Sequence, residues 1–278
     1  MSICCGRAAE VLGGGVKSAI AAKYIELMSV RPLPTHKPAL LERVLMRCPG
    51  QCAVCRAWSK PHVCADCLMR YARPVPRCWT CAARLPPALT GRREPKCGAC
   101  LREPPPLDRT IAALDYAFPW DGLLQHYKFH QAIELRETLL GRLNQALSVA
   151  EAEFPDWLLA VPLNDQRQRE RGYNQSHELA RALARRRKLR CDGELLLRVR
   201  DTSQQVQLTR KDRAANVRGA FAVEPTRRQE LRGCHVVLVD DVMTSGATLF
   251  ELARTLRKAG AVNVQAWVVA RTPEPENN

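Results

Sequence analysis

The fifteen residues from His235 to Leu249 constrain this chain more than any others. The apolar run Val236–Val237–Leu238–Val239 ends in two adjacent acids, Asp240 and Asp241. A small, hydroxyl-rich stretch follows, Thr244–Ser245–Gly246–Ala247–Thr248, and a helical pattern runs from Ala247 to Lys258. This order predicts a buried strand, a tight loop and a helix. Backbone N–H groups and hydroxyls at a helix N-terminus accept a phosphate. Two ionised neighbours at a strand end repel each other and gain nothing from packing, so their place is a ligand site at the carboxyl end of a strand. An acid pair suited to a diol, beside a phosphate cradle, reads as a ribose-phosphate site.

The run resembles the signature of type I phosphoribosyltransferases, which grip 5-phosphoribosyl-1-diphosphate (PRPP): four apolar residues, two acids, two apolar residues and a Thr/Ser-Gly loop. The resemblance implies that Asp240 and Asp241 hold the ribose 2′- and 3′-hydroxyls. It also implies that Thr244, Ser245, Gly246, Ala247 and Thr248 wrap the 5-phosphate. That family holds binders as well as enzymes, so the motif points to a ligand before it points to a reaction.

Upstream, apolar patches and helical patterns alternate. Strands are expected at Ile111–Phe118, Trp157–Val161, Glu194–Val199, Ala220–Val223, Val236–Val239 and Val264–Ala270. Helices are expected within Gly122–Glu153, at Asn174–Lys188 and at Ala247–Lys258, where Gly260 marks a helix end. Alternation of this kind predicts an α/β domain, a mostly parallel sheet with flanking helices, over residues 107–272. Residues 1–47 read as an extension with linker composition, expected to be disordered and assigned no function. The 278-residue chain carries a formal net charge of +15, and Val161 to Arg218 supply +8 of it from 15 basic and 7 acidic residues. Such a balance favours phosphate-bearing partners without choosing between a sugar diphosphate and nucleic acid.

Eight of the thirteen cysteines form four Cys-x-x-Cys knuckles: Cys52/Cys55, Cys64/Cys67, Cys78/Cys81 and Cys97/Cys100. Each knuckle supplies half of a tetrahedral Zn²⁺ shell, and two halves close a structural site. Residues 48–101 are therefore expected to be a double zinc ribbon, a small module that metal allows to fold. Sequential pairing leaves 8 residues between the first two knuckles and 15 between the last two. Interleaved pairing is the rival, Cys48 is a possible substitute for Cys52, and an iron–sulfur cluster competes with zinc. Residues 103–106, Glu-Pro-Pro-Pro, form a stiff joint between this module and the α/β domain. No apolar run approaches the length of a membrane span, and Arg7, Glu10 and Lys17 break up the N-terminus where a signal peptide would be apolar. Free thiols at metal spacing suit a reducing cytoplasm.

Two more constellations complete the pattern. Val161–Pro162–Leu163 is followed by Arg167, Arg169 and Arg171–Gly172–Tyr173–Asn174–Gln175–Ser176, and a polar segment holds Gln205, Leu208, Arg213, Asn216 and Ala220–Phe221. With Tyr127–Lys128–Phe129, the knuckles and the acid-pair run, these motifs resemble the ComF/GntX family from about Cys48 to Arg271. The resemblance implies PRPP or a related ribose phosphate bound with Mg²⁺, and a link to DNA uptake in natural competence. Turnover and the acceptor nucleophile stay open. Within that reading Asp240 and Asp241 position the ribose, while Arg167 and Arg171 face the diphosphate. Arg210, Lys211 and Arg213 lie on a loop that closes over the sugar, and Lys128 is a further candidate. The alternative is a zinc-ribbon factor that binds or bridges single-stranded DNA without transferase turnover; an aromatic content of 5% is modest for a base-stacking surface.

Overall fold

The computed structural model describes residues 50–89, 93–129, 134–163, 168–169, 172–200 and 210–273, all within the unit Pro49–Asn278. Its first elements are the antiparallel pair β1 (Gly50–Gln51) and β2 (Trp58–Ser59), then α1 (Ala65–Tyr71) and α2 (Gly98–Arg102). Next come β3 (Arg109–Asp115), α3 (Trp120–Phe129), α4 (Leu135–Val149), β4 (Trp157–Ala160), α5 (Gln175–Arg187) and β5 (Cys191–Asp192). The rest is β6 (Leu196–Arg198), α6 (Arg210–Val217), β7 (Phe221–Val223), β8 (His235–Met243), α7 (Ala247–Ala259) and β9 (Asn263–Arg271). Five strands form one sheet in the order β3-β9-β8-β4-β5, and every neighbouring pair is parallel.

The run at β8 is continuously apolar because both of its faces are covered, as a parallel sheet requires. Val236 and Leu238 enter one core with Ala266 and Val268 of β9, together with Leu249, Leu252 and Leu256 of α7. Val237 and Val239 enter the other with Trp267 and Val269, backed by α3, α4 and α5. The knuckles divide the same way. Cys52 and Cys67 join the α3–α4–α5 core, whereas Cys78, Cys81, Cys97 and Cys100 join the α7 core.

Three expectations are corrected here. The strands expected at Glu194–Val199 and Ala220–Val223 stand outside the main sheet, as the antiparallel pair β6–β7. Both are short and apolar, and composition alone does not say which sheet such a segment joins. The closing loop expected to carry Arg210, Lys211 and Arg213 is helical from Arg210 to Val217. That helix packs against α7, and packing overrides a sequence with little apolar periodicity. Finally β8 does not end at its acids but runs on to Met243. The extension 1–47 and residues 205 and 208 lie outside the described residues.

Candidate functional site

The acid pair sits near the carboxyl end of β8, where the strand gives way to Thr244–Gly246 and then α7. A cavity of about 240 Å³ opens there, and Asp240, Asp241 and all five residues from Thr244 to Thr248 line it. The N-cap of α7 is Gly246, in the left-handed region at φ +83, which has no side chain to cap with; Ser245 Oγ accepts from the Ala247 N–H at 3.4 Å. A Cβ on Gly246 would lie 2.7 Å from both Met243 Cε and Phe250 Cζ, so only glycine fits this turn without displacing its neighbours. The 13-residue helix thus starts at the cavity wall, where the positive end of its dipole favours an anion.

The two acids are held by different partners. Lys128, near the end of α3, pairs with Asp241 at 3.0 Å. Asp240 Oδ1 accepts from Ser176 Oγ at 2.9 Å and from the Asp241 backbone N–H at 2.9 Å. Burial first, and the charge of Asp241 second, push the Asp240 carboxyl up to about 7, against the pull of Lys128 and the Ser176 hydroxyl. For Lys128 burial works downward, but Asp241 and Asp240 outweigh it and hold the ammonium above its ordinary range. Near neutral pH this end of the cavity thus carries a crowded acid pair that a cation or a pair of sugar hydroxyls relieves.

Residues 173–176 build the frame around that pair. Tyr173 Oη donates to the Tyr127 carbonyl at 2.9 Å, and Gln175 Nε2 donates to the Lys128 carbonyl at 3.0 Å. Asn174 caps α5 by accepting from His177 N–H and donates to the Val161 carbonyl at 3.0 Å. One tetrapeptide therefore fixes the end of α3, the exit of β4 and the carboxylate of Asp240. The sequence reading placed this motif near an anion, and its hydrogen bonds show how it holds Lys128 in place. Ser176, Gln175, Tyr116 and Arg198 also line the cavity and were not among the expected site residues. Only Ser176 and Gln175 had a signal, their position in the motif. Arg213 sits half-buried on α6 and is not among the residues lining the cavity. Arg167, Arg171 and the side chain of Lys211 lie outside the described residues.

The cysteines gather in chain order. Cys52, Cys55, Cys64 and Cys67 have their sulfurs within 4.8 Å of one another, and so do Cys78, Cys81, Cys97 and Cys100. Sequential grouping is therefore the one the fold makes; Cys48 lies outside the described residues. Backbone N–H groups point at the sulfurs, from Val54 and Cys64 to Cys52 at 3.5 and 3.4 Å, and from Cys97 to Cys78 at 3.3 Å. For Cys52 burial works upward, yet those amides and that of Cys55 bring it down to about 6. Four thiols at metal spacing, with amides aimed at sulfur, form a donor set that fits a tetrahedral thiophilic ion.

The phosphoribosyl transferase domain family matches residues 173–278, the segment that holds the acid pair, the loop and residues 173–176. DNA utilization protein YhgH of Salmonella typhimurium is 34% identical over 238 residues, covering 82% of this chain and 100% of that protein. Competence protein F of Haemophilus influenzae is 32% identical over 80% of this chain and 96% of its own length. The chain belongs to the ComF family. Competence protein ComFC of Bacillus subtilis, a more distant ComF protein, is 24% identical over 70% of this chain and 84% of that protein. Among solved structures, the allosteric regulatory enzyme of purine biosynthesis aligns over 48% of this chain and 25% of its own, at 22% identity and a TM-score of 0.32, a likeness too slight to argue from. Among the described residues no helix is long and apolar enough to cross a membrane.

Proposed function

We propose that this ComF-family chain binds PRPP, or a closely related ribose phosphate, together with Mg²⁺, and that this binding serves DNA uptake or use in the cytoplasm. One observation carries the reading. Asp240, Asp241 and the loop Thr244–Thr248 line one cavity of about 240 Å³, with Lys128 ion-paired at its acidic end and a helix N-terminus at the other. The 5-phosphate takes the N–H groups and hydroxyls of Thr244–Thr248, and the ribose diol takes Asp240 and Asp241. Mg²⁺, when bound, neutralises diphosphate charge, and the acid pair is where this chain offers it carboxylates. Lys128 and Ser176 keep both carboxylates aimed into the cavity. We assign the diphosphate to Arg167 and Arg171, and closure over the sugar to Lys211 and Arg213 of α6, the helix that packs against α7. The two cysteine clusters hold structural Zn²⁺, since four thiolates leave no open position for catalysis.

The decisive binding experiment is isothermal titration of the zinc-loaded full chain with PRPP and Mg²⁺. Micromolar binding that needs Mg²⁺ supports the reading, and silence at millimolar PRPP removes it. Release of diphosphate on adding candidate acceptors then separates a transferase from a sensor.

A second reading, a nucleic-acid-binding surface, is favoured by one feature outside this cavity. The Arg109 guanidinium lies 3.9 Å from the ring centre of Trp79, between two further cavities that also carry Arg77, Arg142, Arg93 and Lys96. Single-stranded DNA affinity that falls steeply with salt and drops with Trp79→Ala supports it; salt-independent or absent binding removes it.

A further inference from the structure

Arg271, the last residue of β9, is 5% exposed although it ends a strand and carries a full charge. Its Nε donates to the Cys81 carbonyl at 2.9 Å, so one side of the guanidinium rests on a knuckle of the second cysteine cluster. Its Nη1 donates to the carbonyls of Met243 at 3.3 Å and Thr272 at 2.8 Å, and to that of Thr244. Thr244 is the first residue of the loop that cups the phosphate end of the cavity. Every one of these acceptors is a neutral carbonyl. Among the described residues no carboxylate forms an ion pair with Arg271.

A buried guanidinium is tolerated where hydrogen bonds hold it, and here four backbone carbonyls fix its position. We propose that Arg271 is a positioning residue that fixes the phosphate loop to the second cysteine cluster, so that metal held by that cluster and a phosphate held by the loop stabilise each other. This rests on the ribose-phosphate reading and goes beyond it. The chain of contacts is short. Metal bound by the second cluster would hold Cys78 and Cys81, and the turn between them and Ala83 passes through Ala82 at φ +55. The turn presents the Cys81 carbonyl, that carbonyl orients Arg271, and Arg271 holds the carbonyl of Thr244. With Thr244 fixed, the loop after it stays in place along the cavity wall. Among the described residues the first cluster makes no hydrogen bond to Arg271 or to the loop. Its route into the fold runs from Tyr71, whose carbonyl accepts from Trp120 Nε1 at 2.7 Å, into α3.

Binding linkage is reciprocal: a ligand that gains from a metal-held loop strengthens the metal by the same factor. The test uses the full chain and ribose 5-phosphate as the probe, with three forms: wild type, Arg271→Met and Arg271→Lys. Titration calorimetry gives ribose 5-phosphate affinity. Equilibrium competition against a chromophoric chelator gives metal affinity with and without saturating sugar phosphate. A Cys55→Ser chain, which disables the first cluster alone, identifies which metal belongs to the second.

The expected result is a loss of about tenfold or more in sugar-phosphate affinity for Arg271→Met and partial recovery in Arg271→Lys. Ribose 5-phosphate is expected to raise metal affinity by about fivefold or more at the second cluster only, an effect absent in Arg271→Met. Should Arg271→Met fail to fold, the wild-type linkage and the Arg271→Lys affinity decide. The proposal is overturned if Arg271→Met binds within about twofold of wild type, or if the sugar phosphate strengthens both metals alike or neither. Wild-type protein that fails to bind ribose 5-phosphate at all is a distinct outcome; it removes the ribose-phosphate reading and takes this proposal with it.

Discussion

The first cysteine cluster separates its knuckles by 8 residues and packs on the α3–α4–α5 side of the sheet; the second separates them by 15 and packs on the α7 side. In the first, Cys55 is exposed and Cys64 half-buried. In the second, all four cysteines are buried. The second is also stitched to the sheet, with the Thr110 N–H donating to the Trp79 carbonyl at 2.9 Å and its hydroxyl to the Thr80 carbonyl at 2.6 Å. The two sides of the sheet meet at the cavity. Lys128, which grips Asp241, comes from the helix that the first cluster backs, and Thr244–Thr248 adjoin the core of the second. One donor set thus supports the acid-pair end by packing and the other supports the Thr244–Thr248 loop by hydrogen bonds. Two like sets of four cysteines meet different parts of the site according to which face of the sheet they pack on.

Replacing one ligand in each cluster breaks this comparison most severely. Cys97→Ser is expected to lose one metal equivalent and on the order of 5 kcal/mol or more of stability, with loss of soluble protein at 37 °C. Cys55→Ser also loses one equivalent but costs less, because Cys55 already stands in solvent. Metal counting and thermal unfolding of the two variants give the ranking, and equal losses would erase the distinction. Next in size is Trp120→Ala. Trp120 is 2% exposed and donates to Tyr71, so its removal leaves a large cavity between the first cluster and α3, at about 3–5 kcal/mol. Denaturant unfolding measures that cost, and a matching fall in ribose affinity through Lys128 would sharpen the link to the sugar end.

Gly246→Ala isolates the phosphate end. A left-handed residue with a Cβ 2.7 Å from its neighbours costs about 1–3 kcal/mol and moves the loop. Inorganic phosphate or ribose 5-phosphate affinity should fall while both metals stay bound. A further effect is in pH. Asp240 in the folded chain holds its proton up to about 7, from an ordinary value of 3.8. Across that window the folded state binds more protons than the unfolded one, so stability declines as pH rises from about 4 to about 7. Ligand affinity runs the other way, climbing as the acid pair ionises. Asp240→Asn should flatten both slopes in melting and titration series.

Legibility tracked how local each feature is. β8, the loop and α7 are contiguous, and their strand-acid-glycine order could be read from Val236 to Thr248 because every contact that shapes them is near in sequence. Gly260 was likewise readable as a helix end, and it is left-handed there. Distant contacts were harder. Whether β6 and β7 join the main sheet depends on which strand edge they meet. The α6 sequence Arg-Lys-Asp-Arg-Ala-Ala-Asn-Val is polar, so its helicity comes from α7. Knuckle pairing needed the folded chain, since either grouping closes two four-cysteine sites. Arg271 had one faint signal, a charged residue closing the otherwise apolar run from Ala266 to Ala270, and nothing in that run says the charge turns inward.

The most direct test of the central claim is titration of PRPP with Mg²⁺ into wild type and into the Asp240→Asn, Asp241→Asn double variant, each carrying its full metal complement. A ribose-phosphate site predicts binding to wild type and a loss of about a hundredfold or more in the double variant, with metal content unchanged. Equal binding by the two proteins, or none by wild type, contradicts it.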